Sequence, residues 1–229
     1  MKTYAIIPAG GSGRRFGSEI PKQFLEVEGK PIIAFALEPF QQSHLIDEII
    51  IATHRNYFDL IEKIKLHFKL TKISKIVEGG KERQDSVFNS LKAIENAQEN
   101  DFVITHDAVR PLLTVELLDR CLLFAKEKGS AIVVKKVNNT LLEGEAIVEK
   151  YLNRNKIYSV ETPQIFKYSI LMNAFKKAYE ENFYGTDESG LVFRASNKVN
   201  LFETNEINFK ITTQTDLKLL KFFLNLRFK

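Results

Sequence analysis

The sequence predicts an α/β fold, a mostly parallel twisted sheet flanked by helices with a protruding β-arm. Three observations lead there. Up to Asn138, short β-branched runs alternate with segments of helical hydrophobic spacing; that alternation builds right-handed βαβ units and hence a parallel sheet. At Asn138 the rhythm breaks into a polar stretch with strand-like pieces. The chain has 229 residues, 44% of them hydrophobic and 27% charged, enough to bury a sizeable core without disulfide or metal staples.

Thr3–Pro8 reads as a buried strand that runs into a glycine-rich loop. Pro31–Phe40 has helical spacing, with Ile32, Ile33, Phe35, Ala36, Leu37 and Phe40. Glu48–Ala52 is a second β-branched run, and Tyr57–Phe68 sets Leu60, Ile61, Ile64 and Phe68 on one helical face. Ile73–Val77 is the third strand, followed by a helix over Arg83–Ala97 with Val87, Leu91 and Ile94 inward. Phe102–Thr105, a helix over Val115–Lys128, and Ala131–Val134 continue the alternation. Strand-like pieces at Asn138–Leu142 and Ala146–Leu152 flank a turn at Glu143-Gly144-Glu145. Two strands alone are marginal. The expectation is therefore one domain over 1–229 whose 138–161 arm packs on a second subunit, forming a homodimer. A helix over Ser169–Glu181, a loop at Tyr184–Thr186, strands at Val199–Glu203 and Phe209–Thr212, and a helix from Thr215 close the chain.

Lys plus Arg is 33 and Asp plus Glu is 29, a net charge of +4. With no basic aromatic stripe, nucleic-acid binding is not expected, although local cations can still hold phosphates. Cys121 is the only cysteine, which excludes an internal disulfide and any zinc site needing two cysteines from this chain. The Ala5–Gly10 run is too short for a signal peptide, and no stretch approaches the length of a membrane helix. A cytoplasmic protein that does not enter a membrane is expected.

Three segments carry chemistry. Pro8-Ala9-Gly10-Gly11-Ser12-Gly13-Arg14-Arg15-Phe16-Gly17, then Pro21-Lys22-Gln23-Phe24, follows the first strand. Its glycines let backbone N–H groups approach an anion, and its cations suit phosphate oxygens. It is neither a Walker A loop, lacking Gly-Lys-Ser/Thr, nor a dinucleotide fingerprint, since Phe16 stands at the third glycine position. The second segment is Glu78-Gly79-Gly80-Lys81-Glu82-Arg83-Gln84-Asp85-Ser86-Val87. Here Gly79 and Gly80 allow a base or sugar against the backbone and Ser86 can bond a nucleobase; Asp85 or Ser86 could equally be a helix cap. The third, Thr105-His106-Asp107-Ala108-Val109-Arg110-Pro111, places Asp107 to hold Mg²⁺ through oxygen. Arg110 reads as a structural ion pair and His106 as a neutral, packed side chain. His44, His54 and His67 show no ligand spacing, and no G-x-S-x-G elbow points to a serine hydrolase.

Together these segments resemble, in order and spacing and over nearly the whole chain, the cytidylyltransferases that join CTP to 2-C-methyl-D-erythritol 4-phosphate in isoprenoid precursor synthesis. Close relatives use ribitol 5-phosphate instead. The resemblance implies a Rossmann-like nucleotidyltransferase fold, a Mg²⁺ cofactor, and nucleotide contacts at Pro8, Ala9, Gly10, Gly11, Gly13, Gly80, Ser86, Asp107 and Ala108. It also implies that Asn139-Thr140 stands where the family usually has Asp-Thr, with Thr140 touching the sugar phosphate; the uncharged asparagine departs from the family at a position where charge could matter. Asn153-Arg154 resembles the arm arginine that reaches the neighbouring subunit's site. Glu161-Thr162-Pro163-Gln164-Ile165-Phe166 matches Thr-Pro-Gln-x-Phe, Thr186-Asp187-Glu188 matches the segment lining the acceptor pocket, and Asn208–Thr212 matches Asn-x-Lys-x-Thr. Thr140, Arg154, Thr162, Thr186 and Lys210 are then acceptor contacts, and Arg15, Lys22, Arg154 and Lys210 the catalytic cations.

Thr186-Asp187-Glu188 leans toward the methylerythritol enzymes, whereas Val109 is common among the ribitol relatives. A nicotinamide dehydrogenase is disfavoured by Phe16 and by Ala52-Thr53-His54, which offers no acidic ribose ligand. A non-catalytic nucleotide sensor is disfavoured because every expected cation is present.

Overall fold

The computed structural model of the chain describes residues 1–11, 16 and 20–227. In chain order its strands are β1 (Thr3–Pro8), β2 (Glu26–Val27), β3 (Lys30–Pro31), β4 (Glu48–Thr53), β5 (Ile73–Glu78), β6 (Phe102–Thr105), β7 (Ser130–Lys136), β8 (Leu142–Gly144), β9 (Val148–Tyr151), β10 (Tyr158–Lys167) and β11 (Leu201–Glu203). The helices are α1 (Ile32–Gln42), α2 (Phe58–His67), α3 (Arg83–Lys92), α4 (Val115–Lys128), α5 (Tyr168–Glu180), α6 (Glu188–Arg194) and α7 (Gln214–Arg227). Among the described residues the main sheet has seven strands in the order β11-β7-β10-β6-β1-β4-β5. β10 runs antiparallel to both of its neighbours and the other pairings are parallel.

Strand alternation divides the core. Ala5, Ile7, Ile49 and Ile51 pack with α1, α2 and α4 on one face, while Tyr4, Ile6, Ile50 and Val103 pack with α3, α5 and α6 on the other. Both faces are covered, so these strands read as continuous apolar runs rather than half-polar ones. A third cluster joins Phe16, Phe35, Leu112 and Ile211 to Leu220 and Leu224 of α7. Local signals set the helix ends. Thr114 Oγ1 accepts from Leu117 N at 3.1 Å to start α4, and Gly129, at φ 92°, ends it.

Several expectations need correction. The helix expected over Arg83–Ala97 stops at Lys92, and Asn96 takes a positive φ of 56°, which asparagine tolerates and a helix does not. Ile94 is buried all the same, whereas Leu60 is exposed. Phe209–Thr212 is no strand. Its backbone is used singly, Ile211 N donating to Val109 O and Asn208 O accepting from Arg110.

The arm is also shorter than expected. β8 and β9 pair around a turn at 145–147, and a Cβ at Gly144 would lie 2.1 Å from Ile147 O, so only glycine fits the bend. Tyr158, Ser159 and Val160 belong to the main sheet, paired with Lys136, Lys135 and Val134 of β7. Among the described residues no helix is long and apolar enough to cross a membrane.

Candidate active site

Chain connections reverse direction across the sheet beside β1, since β4 lies on one side and β6 on the other. Ligands bind open α/β sheets at such a switch point, beyond the carboxyl ends of the strands. Loops after β1, β5 and β6 meet there and line a hollow of about 600 Å³, within the usual range for small-molecule sites.

The loop after β1 is held from behind. Gln23 Nε2 donates to Ala9 O and to Gly11 O, the latter at 3.0 Å, and Ala9 N donates to Ala52 O at 2.7 Å. Gly10 and Gly11 are not glycines for packing reasons. A Cβ at Gly11 would meet nothing within 4 Å, and one at Gly10 would stand 3.6 Å from Ser86 Oγ. The space they leave belongs to the hollow. Gly80 is different, because a Cβ there would come 2.1 Å from Asp85 Cβ. Asp85 and Glu82 form a capping box on α3. Ser86 Oγ accepts from Gly80 N at 3.1 Å and donates to Glu82 O at 3.2 Å.

At the end of β6, Asp107 is buried and faces three cations. Arg83 Nε reaches its Oδ1 at 3.2 Å; Lys210 Nζ and Arg110 Nε reach Oδ2 at 3.0 and 3.3 Å. Burial alone would raise its pKa, but Arg83, Lys210 and Arg110 outweigh burial and hold the carboxyl well below the ordinary range.

Its neighbour His106 is fully buried, and its hydrogen bonds fix its tautomer. Nε2 lies 3.2 Å from Arg110 O, which can only accept, so Nε2 carries the proton. Nδ1 therefore accepts from Thr162 Oγ1 at 2.9 Å, and Thr162 Oγ1 in turn accepts from Asp107 N at 3.2 Å. Burial lowers the His106 pKa to about 4, so the ring is neutral and both nitrogens are engaged.

A second hollow, of about 260 Å³, is lined by Glu161, Thr162, Thr186 and Asp187. Arg83, Asp107 and Lys210 line both hollows and form the wall between them. Asn208, two residues before Lys210, donates to Thr162 O at 2.6 Å and accepts from Arg110 at 2.8 Å, which brings the Lys210 segment to the end of β6.

Of the residues singled out from sequence, Pro8, Ala9, Gly10, Gly11, Lys22, Gly80, Ser86, Asp107, Ala108 and Lys210 line the larger hollow. Lys22 Nζ also donates to Ile211 O at 2.7 Å. Thr162 and Thr186 line the smaller hollow. Gly13 and Arg15 lie outside the described residues. Thr140 and Arg154 line neither hollow of their own chain. β7 ends at Lys136 and the chain leaves the sheet there, so both residues are exposed, and Arg154 donates to Asn138 O at 2.8 Å. Glu188, expected to line the acceptor pocket, lies behind Arg83 instead and is 1% exposed. Sequence reasoning passed over Arg83 and Gln23 as site residues, although both stand inside the quoted segments.

The 2-C-methyl-D-erythritol 4-phosphate cytidylyltransferase (IspD) family profile matches residues 3–226. The chain is 39% identical to a protein of that name from Syntrophus aciditrophicus, over 97% of this chain and 96% of the relative. Its fold superposes on the Francisella tularensis enzyme of the same name with a TM-score of 0.82 at 29% identity, covering 97% of this chain and 99% of that one. The 4-diphosphocytidyl-2C-methyl-D-erythritol synthase of Anaerococcus prevotii gives 0.85 at 27%, covering 98% and 96%.

Proposed function

Because this chain belongs to the 2-C-methyl-D-erythritol 4-phosphate cytidylyltransferase family, we propose that it transfers the cytidylyl group of CTP to 2-C-methyl-D-erythritol 4-phosphate, releasing pyrophosphate. The observation that carries this reading is the wall of Arg83, Asp107 and Lys210 shared by two hollows. A nucleotide in the larger and a phosphorylated polyol in the smaller would meet across it. The relatives named above are methylerythritol enzymes, which favours methylerythritol phosphate over ribitol 5-phosphate as the acceptor.

A phosphate-monoester oxygen attacks the α-phosphorus; that P–O bond forms and the bridging bond to the β-phosphate breaks. The second pKa of such a monoester is about 6, so the nucleophile is already largely ionised near neutral pH. No general base is needed, in keeping with a His106 whose two nitrogens are both engaged. The obstacle is repulsion between anions, which cations and fixed geometry remove. Arg15 and Lys22 stabilise charge on the α-phosphate and the leaving group. Lys210, with Arg154 supplied by a second subunit, orients the acceptor phosphate, and Thr140, Thr162 and Thr186 contact the acceptor.

Asp107, a buried carboxylate that lines the larger hollow and is held ionised by its cationic neighbours, fits as one oxygen ligand for Mg²⁺. Among the described residues no three His, Cys, Asp or Glu side chains are placed to hold a metal ion together, so the remaining ligands would be phosphate oxygens and water, as Mg²⁺ prefers. When bound, the ion neutralises part of the triphosphate charge.

For base choice, Ser86 Oγ has one lone pair left after its two hydrogen bonds. That lone pair suits the cytosine amino donor and opposes the uracil carbonyl, so UTP would leave buried groups unpaired.

The arm supports a homodimer. Leu142, Ile147, Val148 and Tyr151 are 48–81% exposed on a two-stranded ribbon, which is marginal until it packs on another surface. The lone buried Cys121 accords with a reducing cytoplasm. Mass spectrometry after offering the four nucleoside triphosphates with 2-C-methyl-D-erythritol 4-phosphate or ribitol 5-phosphate tests the reading. The CDP-methylerythritol product is expected, and a CDP-ribitol product alone would overturn the assignment of the acceptor.

A further inference from the structure

Glu188 lies outside both hollows, yet its carboxylate is buried beside them and accepts three hydrogen bonds. Its Oε1 accepts from Arg83 Nη1 at 2.6 Å, and its Oε2 accepts from Arg83 Nη2 at 3.1 Å and from Thr105 Oγ1 at 2.9 Å. A buried carboxylate with two parallel bonds to a guanidinium fixes the plane of that group. A buried ion pair contributes little net stability that apolar packing could not match; what it adds here is geometry.

That effect falls on Asp107. With Nη1 and Nη2 held by Glu188, Arg83 presents Nε to Asp107 Oδ1 at 3.2 Å, while Lys210 and Arg110 hold Oδ2. Glu188 is itself placed from β10, since Gln164 Oε1 accepts from Ser189 N at 2.9 Å and Gln164 Nε2 donates to Asp187 Oδ2 at 2.8 Å. Asp187 caps α6 by accepting from Gly190 N at 2.9 Å. Three elements distant in sequence thus converge on one guanidinium. Its charge is matched by two carboxylates, so it orients the wall without adding a net cation to it.

We propose that Glu188 is a positioning residue for the transfer reaction. It locks Arg83, and through Arg83 the Asp107 carboxylate, at the wall between the nucleotide and acceptor hollows. The inference rests on the cytidylyl-transfer reading above.

Glu188→Gln keeps the volume but sets an amide donor where Arg83 needs an acceptor. Its kcat is expected to fall about 10²-fold with KM for CTP moved less than about threefold, the signature of lost alignment rather than lost binding. Thr105→Val should shift kcat in the same direction by less, and it carries the kinetic test if Glu188→Gln does not fold. The double variant Glu188→Gln with Arg83→Lys should fall no further than Arg83→Lys alone, because both act through one contact. Independently of activity, the Arg83 Nε–H proton in an NMR exchange measurement should be slow in the unaltered protein and fast in the Glu188→Gln and Thr105→Val variants. A kcat unchanged in both single variants, a loss confined to KM, or an equally protected Nε–H overturns the proposal. If the unaltered protein makes no CDP-alcohol from any pair of substrates, the transfer reading fails; the proton exchange still reports whether the clamp exists.

Discussion

Replacing Thr162 by valine tests the hydrogen-bond chain that seats Asp107. The two side chains are nearly equal in shape, so the change removes a hydroxyl and little else. In the folded protein that hydroxyl accepts from Asp107 N and donates to His106 Nδ1. Thr162 is 4% exposed and His106 is 0% exposed, and the valine methyl takes the place of the hydroxyl that served both partners. Two buried polar groups are then orphaned, each costing about 1–3 kcal/mol. The added methyl returns less than about 1 kcal/mol. A net loss of about 3 kcal/mol follows, and in a domain of this size it lowers Tm by roughly 6–12 °C. Differential scanning calorimetry at neutral pH measures it, with Thr162→Ser as the control that keeps the hydroxyl. A Thr162→Val protein melting together with the unaltered one would refute the chain, and so would Thr162→Ser losing as much as Thr162→Val.

His106 also predicts a pH dependence. Its folded pKa is about 4 against 6.5 for the free side chain; between these values the unfolded chain takes up the proton and the folded chain does not. Stability should therefore fall as pH drops through that window, by roughly 3 kcal/mol from this group, and a urea midpoint that stays constant there would contradict the burial argument. Lys22→Ala should lower turnover by about 10²–10³ while CTP affinity changes far less, and equal losses in both would remove the assigned role. Gly80→Ala should destabilise α3, whose capping Asp85 it strikes, whereas Gly11→Ala should leave Tm unaltered and weaken CTP binding; thermal melts and titration calorimetry separate the two, and the reverse pattern would be decisive against the loop assignment. Charged substitutions at Ile147 and Tyr151 should convert a dimer to monomers in sedimentation velocity, and an unaltered dimer would exclude the arm as its interface.

The local elements were legible from one-dimensional information because their causes are local. The alternation up to Asn138 encodes strands buried on both faces between helices, and the termini of α4 follow from Thr114 and Gly129. What could not be read is β10, which inserts antiparallel between β6 and β7. Pro163 and the polar run before it argue against a central strand, and the register shift between Val160 and Gln164 that accommodates them depends on β7 and β6 being in place.

The site divides along the same line. Asp107 and Lys22 could be named from their segments, where charge stands at a strand end or beside a glycine loop, whereas Lys210 is reached only through the family resemblance of Asn208–Thr212. The pairing of Arg83 with Glu188 could not, since 105 residues separate them and nothing along the chain distinguishes a buried carboxylate from a pocket-lining one. Only the packed sheet, by bringing α6 beneath the start of α3, decides that Glu188 faces a guanidinium and not a ligand. Hydrophobic period and backbone preference act over a few residues and are written in order along the chain. Ion pairs and hydrogen bonds between distant segments exist only after burial has removed competing water, and so belong to the tertiary structure.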